Sequence, residues 1–247
     1  MTTSEQGKLL PFYVVIDVSY SMSVGNKLDT ANKIMPQVLD AVAKAAILSD
    51  KVRFGVIDFS DEAQVRLPLC DILDDGVQLP ALSVRGGTSF AAAFRLLRTE
   101  IESNVKQLKA DGFQVHRPAV FFISDGVPTD QESVWQAAFN DLTAYDKAKG
   151  TGFSMYPNFV PFGVDDAAPK TLQKLIHPTT GSKPMRMFLQ GEESDAAGAI
   201  AGMAEVLISS VLASGDSMAG GGSGIILPSN DELPKGLTSY TADDDFV

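Results

Sequence analysis

Six short runs rich in β-branched and aromatic residues punctuate the chain: Phe12 to Val18, Val52 to Phe59, Val65 to Leu69, Ala119 to Ser124, Phe159 to Val164 and Met185 to Leu189. Each is bounded by turn-forming residues, which predicts strands. Between them lie stretches whose apolar residues recur at spacings of three and four, predicting helices over Lys27 to Leu48, Ser89 to Leu108, Gln131 to Lys147, Ala168 to Ile176 and Ala196 to Ala213. Alternation of the two patterns implies right-handed crossovers and a mostly parallel sheet with helices on both faces, an α/β architecture. The uninterrupted runs Tyr13-Val14-Val15-Ile16 and Val120-Phe121-Phe122-Ile123 suit central strands buried on both sides. Only Ser60-Asp61-Glu62 and the residues flanking it separate the second run from the third. That pair therefore reads as a hairpin adding one antiparallel edge strand.

The periodicity places a domain over residues 11–213, preceded by an extension over residues 1–10. After Ala213 the pattern breaks into Gly215, Gly220-Gly221-Gly222 and Gly224, followed by Ile225-Ile226-Leu227-Pro228 and an acidic end. Residues 214–247 accordingly read as a Gly-rich, acidic, flexible tail. Charge supports the division. The formal net charge is -11, and from Ser214 onward there are six acidic residues (Asp216, Asp231, Glu232, Asp243, Asp244 and Asp245) against the single basic Lys235. An acidic balance without clustered Lys and Arg argues against nucleic acid and against anionic membranes as partners. No apolar run approaches the roughly 18 to 20 residues needed to span a bilayer, and Met1 to Lys8 has no secretion-signal pattern, so a cytoplasmic location is expected. The single cysteine, Cys70, leaves no internal disulfide or thiolate metal cage and reads as a half-buried thiol.

In a parallel sheet of this type, ligands bind beyond the carboxyl ends of the strands. Three motifs fall at such ends: Asp17-Val18-Ser19-Tyr20-Ser21 after the first strand, Gly86-Gly87-Thr88-Ser89 before a helix, and Ser124-Asp125-Gly126 after the Ala119 strand. Any one alone would pass for a cap or a turn. Together they supply two carboxylates and three hydroxyls, hard oxygen donors with no Cys or His nearby, a set suited to Mg²⁺ or Mn²⁺. Two carboxylates nearly neutralise a dication, and a shell otherwise filled by hydroxyls and waters keeps one strongly electrophilic position, for which an external carboxylate is the natural occupant.

This constellation resembles the metal-ion-dependent adhesion site of the von Willebrand factor A family, with its Asp-x-Ser-x-Ser motif, distant Thr and distant Asp. The resemblance runs from about Pro11 to Ala213. It implies a Rossmann-like sheet sandwiched by helices, with Ser19, Ser21 and Thr88 coordinating metal through their hydroxyls and Asp17 and Asp125 bonding directly or through water. Within the family, Gly86-Gly87-Thr88-Ser89, Ser124-Asp125-Gly126-Val127-Pro128-Thr129-Asp130 and Phe162-Gly163-Val164-Asp165-Asp166 are similar to the bacterial tellurium-resistance TerY-type branch. That branch implies a stress-response scaffold whose protein partner, such as a kinase or a phosphatase of the same system, offers Asp or Glu to the metal. Tyr20 stands where small residues are usual, so the rim of the site is expected to be partly screened.

Other residues have plainer readings. Asp130 is expected to cap the helix that begins at Gln131, and Asp165 and Asp166 to be caps or solvated charges rather than an acid/base pair. His116 and His177 have no nucleophile in their sequence context. The Gly86 to Ser89 loop lacks the lysine and spacing of a phosphate-binding P-loop. Trp135, on a stripe with Ala138, Phe139 and Leu142, is expected in the core. The rival functional reading is an Mg²⁺-dependent phosphoryl-transfer enzyme with Asp17 as nucleophile. Its customary second Asp, two residues later, is replaced by Ser19. A further possibility is that the carboxylates of the acidic tail occupy the metal site themselves.

Overall fold

In the computed structural model the strand and helix patterns condense into one twisted sheet clothed by helices. The structure describes residues 7–245 apart from 46, 47, 49 and 223. The strands are β1 (Lys8–Asp17), β2 (Val52–Phe59), β3 (Ala63–Cys70), β4 (Gln114–Val115), β5 (Ala119–Ser124), β6 (Tyr145–Asp146), β7 (Thr151–Gly152), β8 (Asn158–Gly163), β9 (Met187–Gln190) and β10 (Leu237–Tyr240). The helices are α1 (Lys27–Ala31), α2 (Ile34–Ala43), α3 (Phe90–Ala110), α4 (Glu132–Thr143), α5 (Pro169–Gln173) and α6 (Ala196–Ala219). The main sheet runs β10-β9-β8-β5-β1-β2-β3, with the short β4 also on β1; β6 and β7 form a separate small hairpin.

The pairs joining β2, β1, β5, β8 and β9 are parallel, as the alternating pattern predicts. The β2–β3 hairpin supplies the expected antiparallel edge. The other edge is antiparallel too, because Leu237 to Tyr240 lies against Met187 to Gln190. That strand falls inside the segment read from sequence as a flexible tail. The preceding helix also runs beyond Ala213 to Ala219, held there by Ser214, whose hydroxyl donates to the Ser210 carbonyl at 2.5 Å and accepts from the Ile226 amide at 2.8 Å. At the other end of the domain, β1 begins at Lys8, within the expected extension; residues 1–6 of that extension lie outside the described residues.

Two further boundaries differ from the periodic pattern. The predicted Lys27 to Leu48 helix is broken into α1 and α2, since Pro36 lacks an N–H and is tolerated only in the first turn of a new helix. The Gln131 helix stops at Thr143, where the β6–β7 hairpin begins.

Aromatic rings hold both faces of the sheet. On one face Phe54, Phe12, Phe121, Phe162 and Phe188 form a ladder across β2, β1, β5, β8 and β9, with neighbouring ring centroids 4.9 to 6.2 Å apart. On the other, Phe94 of α3 meets Phe122, Phe139 and Phe159 at 5.1 to 5.7 Å, and Trp135 reaches Phe90. Trp135 is buried, as its stripe predicts. The helix α6, which extends the predicted Ala196 to Ala213 helix, is by length and composition apolar enough to cross a membrane, contrary to the expectation that no segment is. In the fold, Ala199, Ile200, Met203, Val206, Leu207 and Val211 of this helix are instead part of the core.

Candidate metal centre

Parallel pairing brings the ends of the central strands to one edge of the sheet. Asp17 lies opposite Phe59 of β2, and Ser124 at the end of β5 lies opposite Gly163 of β8. Because β1 leads on to β2 on one side and β5 leads on to β8 on the other, the loops leaving β1 and β5 diverge here, the position where open α/β sheets form ligand sites.

The Asp17 loop is shaped by its own carboxylate. The Ser19 amide donates to Asp17 Oδ1 at 2.8 Å, a local turn, while the Ser124 hydroxyl donates to Asp17 Oδ2 at 2.7 Å and ties the loop to β5. Ser19 Oγ and Ser21 Oγ stand 3.0 Å apart, and Ser21 Oγ donates to Asp125 Oδ1 at 2.6 Å. The third loop joins through Gly126: a Cβ placed there would lie 3.8 Å from Ser21 Oγ and 3.9 Å from Thr88 Oγ1. The five residues singled out from the sequence, Asp17, Ser19, Ser21, Thr88 and Asp125, are therefore brought together.

The Thr88 loop is fixed from both sides. Its carbonyl accepts from the Thr129 amide at 2.8 Å, and the Gly86 carbonyl accepts from the Tyr20 amide at 3.1 Å. Asp61, from the β2–β3 turn, explains the glycine pair. A side chain on Gly86 would overlap the Asp61 carboxylate, and a Cβ on Gly87 would lie 2.7 Å from Asp61 Oδ1. Asp130 does not cap α4, whose N-cap is Gln131. It accepts instead from Ser89 Oγ at 2.9 Å and from the Ala91 amide at 2.8 Å, so it secures the start of α3, the helix that follows Thr88.

Electrostatics sort the site by depth. Asp17, Ser19, Thr88 and Asp125 are buried, whereas Ser21 is exposed at the mouth. Burial pushes the Asp17 carboxyl up to about 6, against the pull of hydrogen bonds from Ser19 and Ser124, with a smaller upward push from Asp125. Asp125 Oδ2 is buried and accepts no hydrogen bond of good geometry, although Lys27 Nζ lies 2.6 Å away as an ion-pair partner. The same ammonium is 2.6 Å from Asp165 Oδ2. Burial alone would lower the Lys27 ammonium, but its two carboxylate partners outweigh that, and the net shift is upward. Asp165 is thus not a cap or a merely solvated charge. Lys27, six residues beyond Ser21, had no sequence signal beyond its position at the start of a helix.

Hydroxyls beside carboxylates, one of them with a buried oxygen lacking a directed donor, fit a hard divalent cation. Among the described residues no group of three or more His, Cys, Asp or Glu could hold a metal ion, this site included, so its donor set depends on hydroxyls beside two carboxylates. Around the mouth stand the exposed side chains of Tyr20, Val24 and Val127. Tyr20 is 75% exposed, so its side chain stands largely in solvent next to the serines of the site. His116 and His177 lie at the opposite end of the sheet, near the start of β5 and opposite Phe159 at the start of β8. The tail carboxylate Asp244 folds back onto Thr241, and the main chain at residues 241, 242 and 244 is held by Gln173 of α5, not by any of the five site residues.

A central, mostly parallel sheet with antiparallel edges and flanking helices is the architecture of the von Willebrand factor A-type fold. Residues 12–127 match the family model described as von Willebrand factor type A domain. Among solved structures, the chain is similar to proximal thread matrix protein 1 from the mussel byssus (15% identity, TM-score 0.52, 84% of this chain and 49% of that one). It is similar also to the pilus adhesin SpaC from Lactobacillus rhamnosus GG in its open conformation (14% identity, TM-score 0.56, 83% and 30%). A third is a mutant of the PilB minor pilin from Streptococcus sanguinis (12% identity, TM-score 0.51, 87% and 63%). The chain spans less than two thirds of the length of each, and at these identities the likeness is one of fold. Another structure of the mussel protein carries a zinc-occupied metal-ion-dependent adhesion site. No curated protein matches the chain.

Proposed function

We propose that this chain is a binding module in which Asp17, Ser19, Ser21, Thr88 and Asp125 hold one Mg²⁺ or Mn²⁺ ion and present it to an Asp or Glu side chain of a protein partner. The observation that carries the reading is the convergence of three loops on one set of oxygens, with the exposed Ser21 at its mouth. When bound, the metal supplies an electrophilic position that a neutral loop surface lacks. The protein's part is to orient the oxygens: Ser124 and the Ser19 amide fix Asp17, Ser21 fixes Asp125, and the Thr129 contacts fix Thr88. The apolar rim of Tyr20, Val24 and Val127 favours a partner whose acidic side chain is flanked by apolar residues.

Phosphoryl transfer fits less well. A nucleophilic carboxylate must be accessible, and Asp17 is fully buried with both oxygens accepting hydrogen bonds. The reading is therefore of a non-enzymatic adaptor. The finer resemblance, to tellurium-resistance proteins, suggests a cytoplasmic scaffold in a bacterial stress response, with a kinase or phosphatase among its partners. The test is capture of partners from the host lysate by wild type and Thr88→Ala, each in Mg²⁺ and in EDTA. Partners held only by wild type in Mg²⁺ support the reading; partners indifferent to both changes refute it.

A further inference from the structure

Lys27 places a permanent positive charge where a metal's charge would be used. The residue is almost wholly buried, 3% exposed, and its ammonium lies 2.6 Å from Asp125 Oδ2, the oxygen of a site residue that has no directed donor. The second partner, Asp165, is differently held. Its backbone is left-handed (φ 52°), its amide donates to Gln190 Oε1 at 2.9 Å, and its side chain is 45% exposed where that of Asp125 is fully buried. One carboxylate is thus locked in the site, the other stands at its edge, and the lysine bridges them.

We propose that Lys27 is a tethered monocation that competes with the divalent cation for Asp125, and that Asp165 tunes the competition by drawing the ammonium outward. This rests on the metal-binding reading. Charge favours it: Asp17, Asp125 and Asp165 against Lys27 leave two net negative charges, which one divalent cation neutralises. A lysine suits the role because its ammonium is a point charge on a flexible stem, able to shift toward Asp165 without rearranging the loops. The consequence is a site of deliberately reduced metal affinity, occupied only when the free cation, or a partner's added carboxylate, outweighs the lysine.

The two residues should act in opposite directions. Calorimetric titration of Mn²⁺ into the full chain is expected to show Lys27→Met binding about tenfold or more tighter than wild type, because a like charge close to the ion is gone. Asp165→Asn should bind several-fold more weakly, since the ammonium then rests on Asp125 alone. Asparagine tolerates the left-handed backbone, and the position is half exposed, so this variant keeps the test open if Lys27→Met fails to fold. Weaker binding in both variants would make Lys27 a structural brace and overturn the proposal, as would equal affinity in all three proteins. Absence of binding by wild type and Lys27→Met alike would instead overturn the metal reading beneath it.

Discussion

Replacing Asp17 by asparagine should separate the stability of the site from its function. Burial raises this carboxyl from its ordinary 3.8 to about 6, so the folded protein without metal holds the proton more tightly than the unfolded chain does. For an acid shifted upward, ionisation works against folding: the penalty is absent below the unfolded value, grows through the interval between the two, and is complete above the folded one. A rise of that size corresponds to about 3 kcal/mol. Asparagine keeps the shape, retains an oxygen for the Ser19 amide and turns its NH₂ to the Ser124 hydroxyl, which then accepts. In EDTA at about pH 7.5, Asp17→Asn should therefore be more stable than wild type by up to about 3 kcal/mol, and at about pH 5 by roughly half of that. For a domain of this size the larger value raises the melting temperature by roughly 6 to 10 °C. Urea or thermal unfolding at the two pH values reads the difference directly. Saturating Mg²⁺ should narrow or reverse the order, since only the wild type gains from binding. A variant destabilised to the same extent at both pH values would refute the reasoning, because it would mean that Asp17 contributes through its hydrogen bonds and not as a buried charge.

Three other outcomes follow from the same structure. Metal affinity should weaken below about pH 6, since Asp17 must lose its proton to serve as a ligand; calorimetry in buffers of different ionisation enthalpy would show proton release below that pH and none well above it. His177 is pushed down to about 4 by burial, with Arg117 adding to the effect. The unfolded chain then binds a proton that the folded protein refuses, so this group's contribution is lost as pH falls from 6.5 toward 4, and unfolding curves of His177→Asn should show a flatter acid limb than wild type. Phe94, fully buried among Phe90, Phe122, Phe139 and Phe159, should cost about 3 to 5 kcal/mol when cut to alanine, measured by urea unfolding.

What the sequence made legible is what local pattern controls. The central strands show as unbroken apolar runs because both of their faces are covered, and the β2–β3 hairpin shows because its turn is short. The five donors were legible because they sit at strand ends and a helix start, where parallel topology gathers them. Long-range contacts hid the rest. Leu237 to Tyr240 is a short strand with only one buried residue, and its place on the sheet comes from pairing with β9. The end of α6 contains Ser214, Gly215 and Asp216, poor helix formers, yet burial and the Ser214 hydrogen bonds override their propensity. Asp130 adjoins one helix but secures another some forty residues earlier in the chain, through Ser89 and Ala91. Lys27 and Asp165 are 138 residues apart, and nothing in either neighbourhood signals that they meet at Asp125.

The most direct test of the account is a calorimetric titration of Mg²⁺ and of Mn²⁺ into the purified full chain and into Thr88→Ala, at a pH well above the Asp17 transition. The account predicts one saturable site in the wild type, weakened about tenfold or more by loss of the single hydroxyl, in the range attributed to changes around metal ligands. A wild-type chain that takes up neither cation, or a Thr88→Ala variant that binds as tightly as wild type, would contradict it.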